Sequence, residues 1–493
     1  MSNLQGLPVE IADGNIVTVP ASLACMSTYV LLEQEDWFEK ELPFVRDYLK
    51  PGMRVLDIGA NYGVYSVSIG KAVGPTGRVW AFEPSHDTSS FLRHTLARNG
   101  MVQVVVDQCA LSDRAGRGRL GVQAHSELNS LTHGPGESGE EVRVDTLDEA
   151  AARHGMHGID FVKLDAEGEE DRIVAGGREF FRAEDPLVMF EFKHLQALNT
   201  QLLASFRAAG YGIFRLIGPS SLLVPVADAA ALDIFELNLF ACKESRAESL
   251  EQMGLLLRAP PPILGGEPGA GLAFIERQPF ADRQRPVGMV SEPALVEALD
   301  AYAVWRQEGL SAQRRYGALL WALWRLETEV KLAPGVAVLS LLARVAHDAG
   351  SRHLAVQILA VMLDEAERSG LAIADPTWPA SEHYDSIPVN SDRGTWLVAA
   401  TMEALISWGS YSAAFAGSST LKFLNWLHAS PYASARMERR RQLQQLQAGQ
   451  IQAIQPSTIL GNAGPGHRNA EFWRRAAAER TTMPPSLLQS VRV

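Results

Sequence analysis

The sequence predicts two structural classes in one chain: an α/β half built on a doubly wound parallel sheet, then an all-α half. Three observations predict this. Short β-branched runs alternate with helical stretches through the first half, and the runs are apolar on both faces, as strands covered by helices on both sides are. From residue 291 to about 445, apolar residues recur at i, i+3 and i+4 and strand signals nearly vanish. Eight of the ten tryptophans lie beyond residue 300.

The strand candidates are Arg54–Ile58, Arg78–Phe82, Val102–Asp107, Asp160–Leu164, Leu187–Phe192, Gly212–Leu216 and Glu236–Ala241. Seven strands with intervening helices make one doubly wound domain, residues 1–245. A polar insertion, Ser112–Val144, separates the third and fourth strands. It holds two strand-like pieces, Gly118–Val122 and Glu141–Val144, and a Ser-, Gly- and His-rich stretch that reads as a loop or hairpin near the mouth of the sheet. Thr146 caps a helix with acids in its first turn and Gly155 near its end. Residues 246–290 are Pro- and Gly-rich (LLRAPPPILGGEPGAG, RQRPVGMVSEP) and read as a linker. Helical runs follow at 296–309, 316–331, 337–350, 352–370 and 395–409, placing a helical domain at 291–445. Leu342, Ala343, Ala346, Gly350, Ala355 and Leu359 sit at tetratricopeptide spacing. No second clean copy follows, and an ordinary bundle fits equally well. Residues 446–493 read as a flexible basic tail.

Composition sets further limits. Over 493 residues, 46% are apolar and 21% charged, which excludes collagen-like, low-complexity and fully disordered classes. The net charge of −12 divides into −13 for residues 1–245 and +1 for the rest. An acidic first half argues against a nucleic-acid partner, because phosphate neutralisation needs clustered Lys and Arg. The tail from 431 carries +6, which suits a solvated end or contact with an acidic partner. Cys25, Cys109 and Cys242 lie far apart without CxxC spacing, so neither a disulfide framework nor a cysteine zinc site is expected. The N-terminus has no basic n-region, and 394–417 carries Glu403 among many Ser and Gly. The expectation is a cytoplasmic protein in which 394–417 is a buried helix pair and not a membrane span.

The chemistry-bearing stretch is MRVLDIGANYGVYSVSIG, residues 53–70. A strand ends near Asp57, and Gly59, Ala60, Asn61 and Gly63 make a tight turn before a helix from about Tyr62. The spacing D-x-G-x-x-x-G lacks the close glycine pair of dinucleotide folds, which disfavours a pyrophosphate ligand. Glycines here permit close backbone approach to a small ligand, and a helix N-terminus favours a carboxylate on it. Glu83 follows Gly63 by twenty residues at the end of another strand. An acid at that place accepts both hydroxyls of a ribose; its plain alternative is a solvated strand-end carboxylate.

These two motifs together resemble S-adenosylmethionine-dependent methyltransferases of the Rossmann-like, seven-stranded class. TYVLLEQEDWFEKEL at 28–42, VDTLDE at 144–149, DFVKLDAEGEE at 160–170 and PLVMFEF at 186–192 sharpen the resemblance to the FkbM-type methyltransferase family, over residues 25–243. The resemblance implies S-adenosylmethionine as cofactor and an antiparallel seventh strand, LNLFACK. It implies that Asp57, Gly59, Ala60, Asn61 and Gly63 shape the methionine pocket and that Glu83 holds the ribose. Pro84 and the segment Gln108–Ser112, with Ala110 and Leu111, would flank the adenine, with Asp107 or Asp113 as a weaker polar contact.

Asp165 and Glu167 follow the fourth strand; Glu191 and His194 lie at or after the fifth. Parallel strands place their carboxyl ends along one rim, so these groups can converge on the transferable methyl. Methylating a hydroxyl needs a base within hydrogen-bond reach. Glu167 or His194 is the expected base, with Asp165 and Glu191 orienting. The alternative is that Asp165, Glu167 and Glu170 only cap the next helix. Asp165 and Glu191 could hold Mg²⁺, but no fixed spacing demands a metal. His125 and His133 read as exposed loop residues. Trp321, Trp324 and Trp408 could bind a glycan, although core packing explains their helical spacing.

The expected function is transfer of a methyl group, most naturally to a hydroxyl of a sugar, glycan or natural product. N-methylation is the enzymatic alternative; a scaffold carrying a cofactor-binding remnant is the other. The helical half is expected to serve acceptor recognition, homo-oligomerisation or docking of a protein partner.

Overall fold

The computed structural model describes residues 6–121, 130–132, 139–194, 197–218, 221–229, 232–281, 292–369, 378–389, 392–416, 420–451, 454–455 and 457–460. Its largest sheet has eight strands, labelled in chain order: β1 Arg54–Ile58, β2 Arg78–Phe82, β3 Val104–Asp107, β4 Phe161–Leu164, β5 Leu187–Glu191, β6 Gly212–Ile217, β7 Leu222–Pro225 and β8 Asn238–Cys242. Their spatial order is β7-β6-β8-β5-β4-β1-β2-β3. The pairs β5–β4, β4–β1, β1–β2 and β2–β3 are parallel, and β8 runs antiparallel to both β5 and β6.

Alternation along the strands explains the two-faced apolar runs. Val55, Val79, Phe161 and Met189 enter one buried cluster. Their neighbours Leu56, Trp80, Val162 and Phe190 enter another on the opposite face. Helices cover both faces, so both alternating sets of strand residues run mostly apolar. The seven expected strands form with ends shifted by a residue or two. β7 is an addition: four residues, LLVP, pair antiparallel with β6. Its run is too short to stand out before the hairpin exists.

The two strand-like pieces of the insertion form, and residues 122–129 and 133–138 of the stretch between them lie outside the described residues. Ala110–Leu111, Gly116–Gly121, Ser130–Thr132 and Glu140–Asp145 make a four-stranded sheet. Ala110, Leu120, Val142 and Val144 form its small core. Thr146 caps the helix Leu147–His154 as expected, its hydroxyl accepting from the Glu149 amide.

The helical half follows as Pro293–Trp305, Ala312–Glu329, Val336–Asp348, Arg352–Ser369, Arg393–Gly409, Ala413–Ala416, Leu421–Ala429 and Ala435–Gln447. The buried-pair reading of 394–417 agrees with the two helices at Arg393–Gly409 and Ala413–Ala416, both largely buried. Trp324 departs from the core reading: it is 55% exposed. Trp408 stacks on His347 at 3.9 Å.

Of the stretch read as a linker, residues 246–281 are packed, and 282–290 lie outside the described residues. Helices Glu244–Gln252 and Ala270–Ile275 form in it. Leu256 joins the sheet-side core, while Leu257, Ile275 and Phe280 join the helical core. Gly266 and Gly271 serve close approach to the helix that carries Asp300. A Cβ at Gly266 would lie 2.0 Å from the Asp300 carbonyl carbon. The Asp300 carboxylate accepts from the amides of Gly269 (3.1 Å) and Gly271 (2.8 Å). The two halves also share a core: Ala413, Ala414, Phe415, Leu443 and Leu446 pack in the cluster that holds Tyr29 and Val30. The tail reading starts inside this core, at Leu446; residues 461–493 lie outside the described residues.

Candidate functional site

The site begins where β1 ends. Gly59 has φ +79°, and a Cβ there would lie 1.7 Å from the Asp165 carbonyl oxygen. The end of β4 therefore passes against bare backbone, and only glycine fits. The amides of Gly59 and Ala60 both donate to the Phe82 carbonyl at 3.0 Å, tying the turn to the end of β2. Asn61 takes a left-handed conformation (φ +47°), a position asparagine tolerates. Gly63 (φ +92°) caps the helix Val64–Val73, which starts two residues later than expected because of these left-handed residues.

Glu83 is buried at the end of β2. Its carboxylate accepts from the Asn61 amide at 3.0 Å and the Ser85 amide at 2.9 Å. Burial pushes its pKa up to about 7, against the stabilising pull of those two amides. This is a fixed acceptor, not a solvated strand-end acid.

A cavity of about 250 Å³ opens along the carboxyl ends of these strands. Gly59, Ala60, Asn61, Glu83 and Pro84 line it, with Ala110 and Leu111. Asp57 and Gly63 do not line it; they hold the turn from beneath. Asp57 is fully buried and accepts from the Ser66 hydroxyl at 2.5 Å, and burial raises its pKa. Its other oxygen is buried and accepts no hydrogen bond among the described residues. Asp107 is drawn away to Arg143, Arg153 and His154, whose hydrogen bonds and charges hold its pKa low despite burial, and neither it nor Asp113 lines the cavity.

Asp165, Glu167 and Glu191 line the facing side. Carboxylate oxygens of Asp165, Glu170 and Glu191 lie within 4.8 Å of one another. Glu170 does the capping that the sequence offers for all three acids: one oxygen accepts from the Ala166 (2.8 Å) and Gly168 (3.2 Å) amides, and burial raises its pKa. Asp165 accepts from the Lys163 ammonium at 2.8 Å. Two of the three acids thus already have N–H donors, so their closeness does not itself call for a cation. Glu167 is a non-glycine in the left-handed region, φ +52°. His194 falls in the short strand Lys193–His194, but its side chain lies outside the described residues, as do His125 and His133.

Several lining residues escape sequence reasoning. Lys163 sits buried in β4; burial opposes its charge, yet Asp165, Asp57 and Glu39 raise its pKa. A lysine inside an otherwise apolar parallel strand was the available signal. Its ammonium stands 5.1 Å from the centre of the Tyr65 ring. The Tyr65 hydroxyl donates to Glu39 at 2.6 Å, and burial followed by the Asp165 charge raises the pKa of Glu39. Trp37, Phe38, Tyr411 and Phe415 complete the cavity wall. Nothing local marks the last two, which come from the helical half.

Residues 57–213 match the family model of the methyltransferase FkbM domain. The chain is 26% identical over 196 residues to the 31-O-demethyl-FK506 methyltransferase FkbM of Streptomyces tacrolimicus, covering 34% of this chain and 75% of that protein. Among solved structures, the FkbM methyltransferase of Methylobacillus flagellatus aligns with TM-score 0.30 and 18% identity, over 42% of this chain and 48% of that one. This chain therefore spans about half the length of that protein. An S-adenosylmethionine-dependent O-methyltransferase of Thermotoga maritima aligns with TM-score 0.25 and 15% identity, over 41% of this chain and 64% of that one.

Proposed function

Residues 57–213 are an S-adenosylmethionine-dependent FkbM methyltransferase domain, and from that premise we propose that the chain methylates a hydroxyl oxygen on a sugar, glycan or natural product. The observation that carries the proposal is a single cavity. It is lined by the glycine turn and Glu83 on one side and by Asp165, Glu167 and Glu191 on the other. The named relative from Streptomyces acts, by its name, at an oxygen, which supports an oxygen acceptor here.

The residues present fit the cofactor. Bound S-adenosylmethionine supplies an electrophilic methyl group on a sulfonium centre. Glu83, fixed by two amides, would accept the ribose hydroxyls. Gly59, Ala60 and Asn61 would lie along the methionine part, with Asp57 and Gly63 shaping the turn behind them. Pro84, Ala110 and Leu111 would flank the adenine. Six carboxylates line the cavity (Glu39, Glu83, Asp165, Glu167, Glu169, Glu191) against two lysines, a balance that favours a cation.

Glu167 is the proposed base, taking the acceptor hydroxyl proton onto its carboxylate as the oxygen attacks. Its left-handed backbone costs on the order of 1 kcal/mol or more, and such strain persists where the surroundings demand it. Asp165, held by Lys163, and Glu191 would orient the hydroxyl. His194 is the alternative base. One observation favours a second reading. Aromatic rings beside carboxylates also suit an ammonium acceptor, hence N-methylation.

The reading places the protein in the cytoplasm, where Cys25, Cys109 and Cys242, all buried and in no disulfide, stay reduced. Among the described residues no helix is long and apolar enough to cross a membrane. The helical half remains a proposed site for self-association or a protein partner.

The test is incubation of the full chain with methyl-¹³C-labelled S-adenosylmethionine and a panel of methyl glycosides and primary amines. A methoxyl carbon resonance on a product is the expected result. An N-methyl resonance instead would replace this reading with the second one.

A further inference from the structure

We propose that the helical half builds the acceptor wall of the cavity, where Tyr411 and Phe415, with Trp37 and Phe38, seat the face of an uncharged sugar ring. This rests on the methyl-transfer reading above and names its acceptor class.

Four rings meet at one side of the cavity. Phe38 lies 4.8 Å from Trp37, 5.3 Å from Tyr411 and 6.3 Å from Phe415, centre to centre. Two come from the N-terminal segment and two from a stretch almost four hundred residues later. That later stretch is held firmly. The Glu33 carboxylate, fully buried, accepts from the Ser412 hydroxyl at 2.6 Å and the Ala413 amide at 2.8 Å. Arg440, also fully buried, stands 3.3 Å from Glu33 and donates to the Ser410 hydroxyl at 2.5 Å. Gln34 donates to the Tyr411 carbonyl at 2.6 Å. The Tyr411 hydroxyl donates to the Phe235 carbonyl at 2.5 Å, and the Arg352 guanidinium covers the ring at 4.6 Å. A wall fixed by five residues is pre-organised, which lowers the ordering cost of binding.

The chemistry of the wall defines what it takes. Aromatic faces match the C–H face of a pyranose, and the same cavity is lined by Glu39, which also accepts from the Tyr65 hydroxyl, and by Asn238, whose side-chain amide donates toward Glu41. Six carboxylates repel an anionic acceptor. Lys163 is neutralised by Asp165, and the one remaining ammonium, Lys193, which donates to the Ile234 carbonyl at 2.9 Å, leaves the acids in excess.

The test uses the full chain, because Phe415 and Leu443 belong to the core of the first half. Protein saturated with S-adenosylhomocysteine is probed by saturation-transfer NMR with methyl glycosides of glucose, mannose, galactose, rhamnose and fucose, and of glucuronate as the anionic control. The expected result is transfer to ring protons of a neutral glycoside, absent for the glucuronide. It should fall at least about tenfold in Tyr411→Ala and Phe415→Ala, while calorimetric S-adenosylhomocysteine affinity stays within about twofold. Tyr411→Phe, which keeps the ring, should retain binding. Binding of the cofactor product but of no neutral glycoside overturns the acceptor class. Equal binding in the alanine variants overturns the role of the wall, and equal binding of the glucuronide overturns the charge argument. Failure of wild-type protein to bind S-adenosylhomocysteine would instead sink the underlying reading.

Discussion

Cofactor affinity should depend on pH through Glu83. Its carboxyl is buried and carries a pKa of about 7 without ligand. Ribose hydroxyls donate, so the bound state requires the ionised carboxylate; binding at lower pH must release its proton. The ionised fraction falls from about nine-tenths at pH 8 to about one-tenth at pH 6. The dissociation constant for S-adenosylhomocysteine should therefore rise about tenfold across that interval, about 1.4 kcal/mol. The ligand-free protein shows the opposite sign. A carboxyl raised from 4.5 to about 7 contributes stability that is full below 4.5 and lost as pH rises to 7, up to roughly 3 kcal/mol. Calorimetry at several pH values, repeated in buffers of different ionisation enthalpy, measures both the slope and the released proton. Glu83→Gln should bind weakly with no such slope, and since the ligand's own amino group titrates against both proteins, the difference isolates Glu83. A flat wild-type profile, or the same slope in Glu83→Gln, would refute the reasoning.

Three further sets of substitutions probe separate links. Gly59→Ala sets a Cβ 1.7 Å from a backbone oxygen at positive φ, so the unfolding free energy should fall by about 3 kcal/mol and cofactor binding should vanish; an unchanged unfolding free energy would contradict the close approach. Glu167→Gln should slow methyl transfer about 10²–10⁴-fold, whereas Glu167→Gly should lose transfer while gaining about 1 kcal/mol of stability, and full turnover in either would remove Glu167 as base. Arg440→Met leaves the Glu33 carboxylate buried without its cation and should cost about 3–5 kcal/mol in urea unfolding, with Glu33→Leu added in the same chain restoring most of it. A cost below about 1 kcal/mol would mean that other contacts hold the halves together.

What the sequence made legible was local. Asp57, the glycine turn and Glu83 stand at spacings set by one strand–turn–helix unit and the next strand, so their meeting follows from the parallel sheet itself. The strands of the sheet were readable for the same reason, since burial on both faces leaves continuous apolar runs. β7 was not, because LLVP gains its identity only by pairing with β6. Gly266 and Gly271 misled because composition cannot separate a glycine that bends freely from one that lets Asp300's helix approach. Tyr411 and Phe415 reach the cavity through a buried carboxylate on a helix near the N-terminus, a contact with no trace in either segment. Lys163 was visible but unread: its position in an apolar strand demanded a partner, and Asp165 two residues on supplies it.

The account stands on one cavity holding S-adenosylmethionine against Glu83 and the turn at Gly59–Asn61. Isothermal titration of the full chain with S-adenosylmethionine, S-adenosylhomocysteine and, as a control, NAD tests it most directly. Saturable binding of both sulfur compounds, none of NAD, and marked weakening in Glu83→Ala are the predicted results. A well-folded chain that binds neither sulfur compound, or binds them equally well without the Glu83 carboxylate, would contradict it.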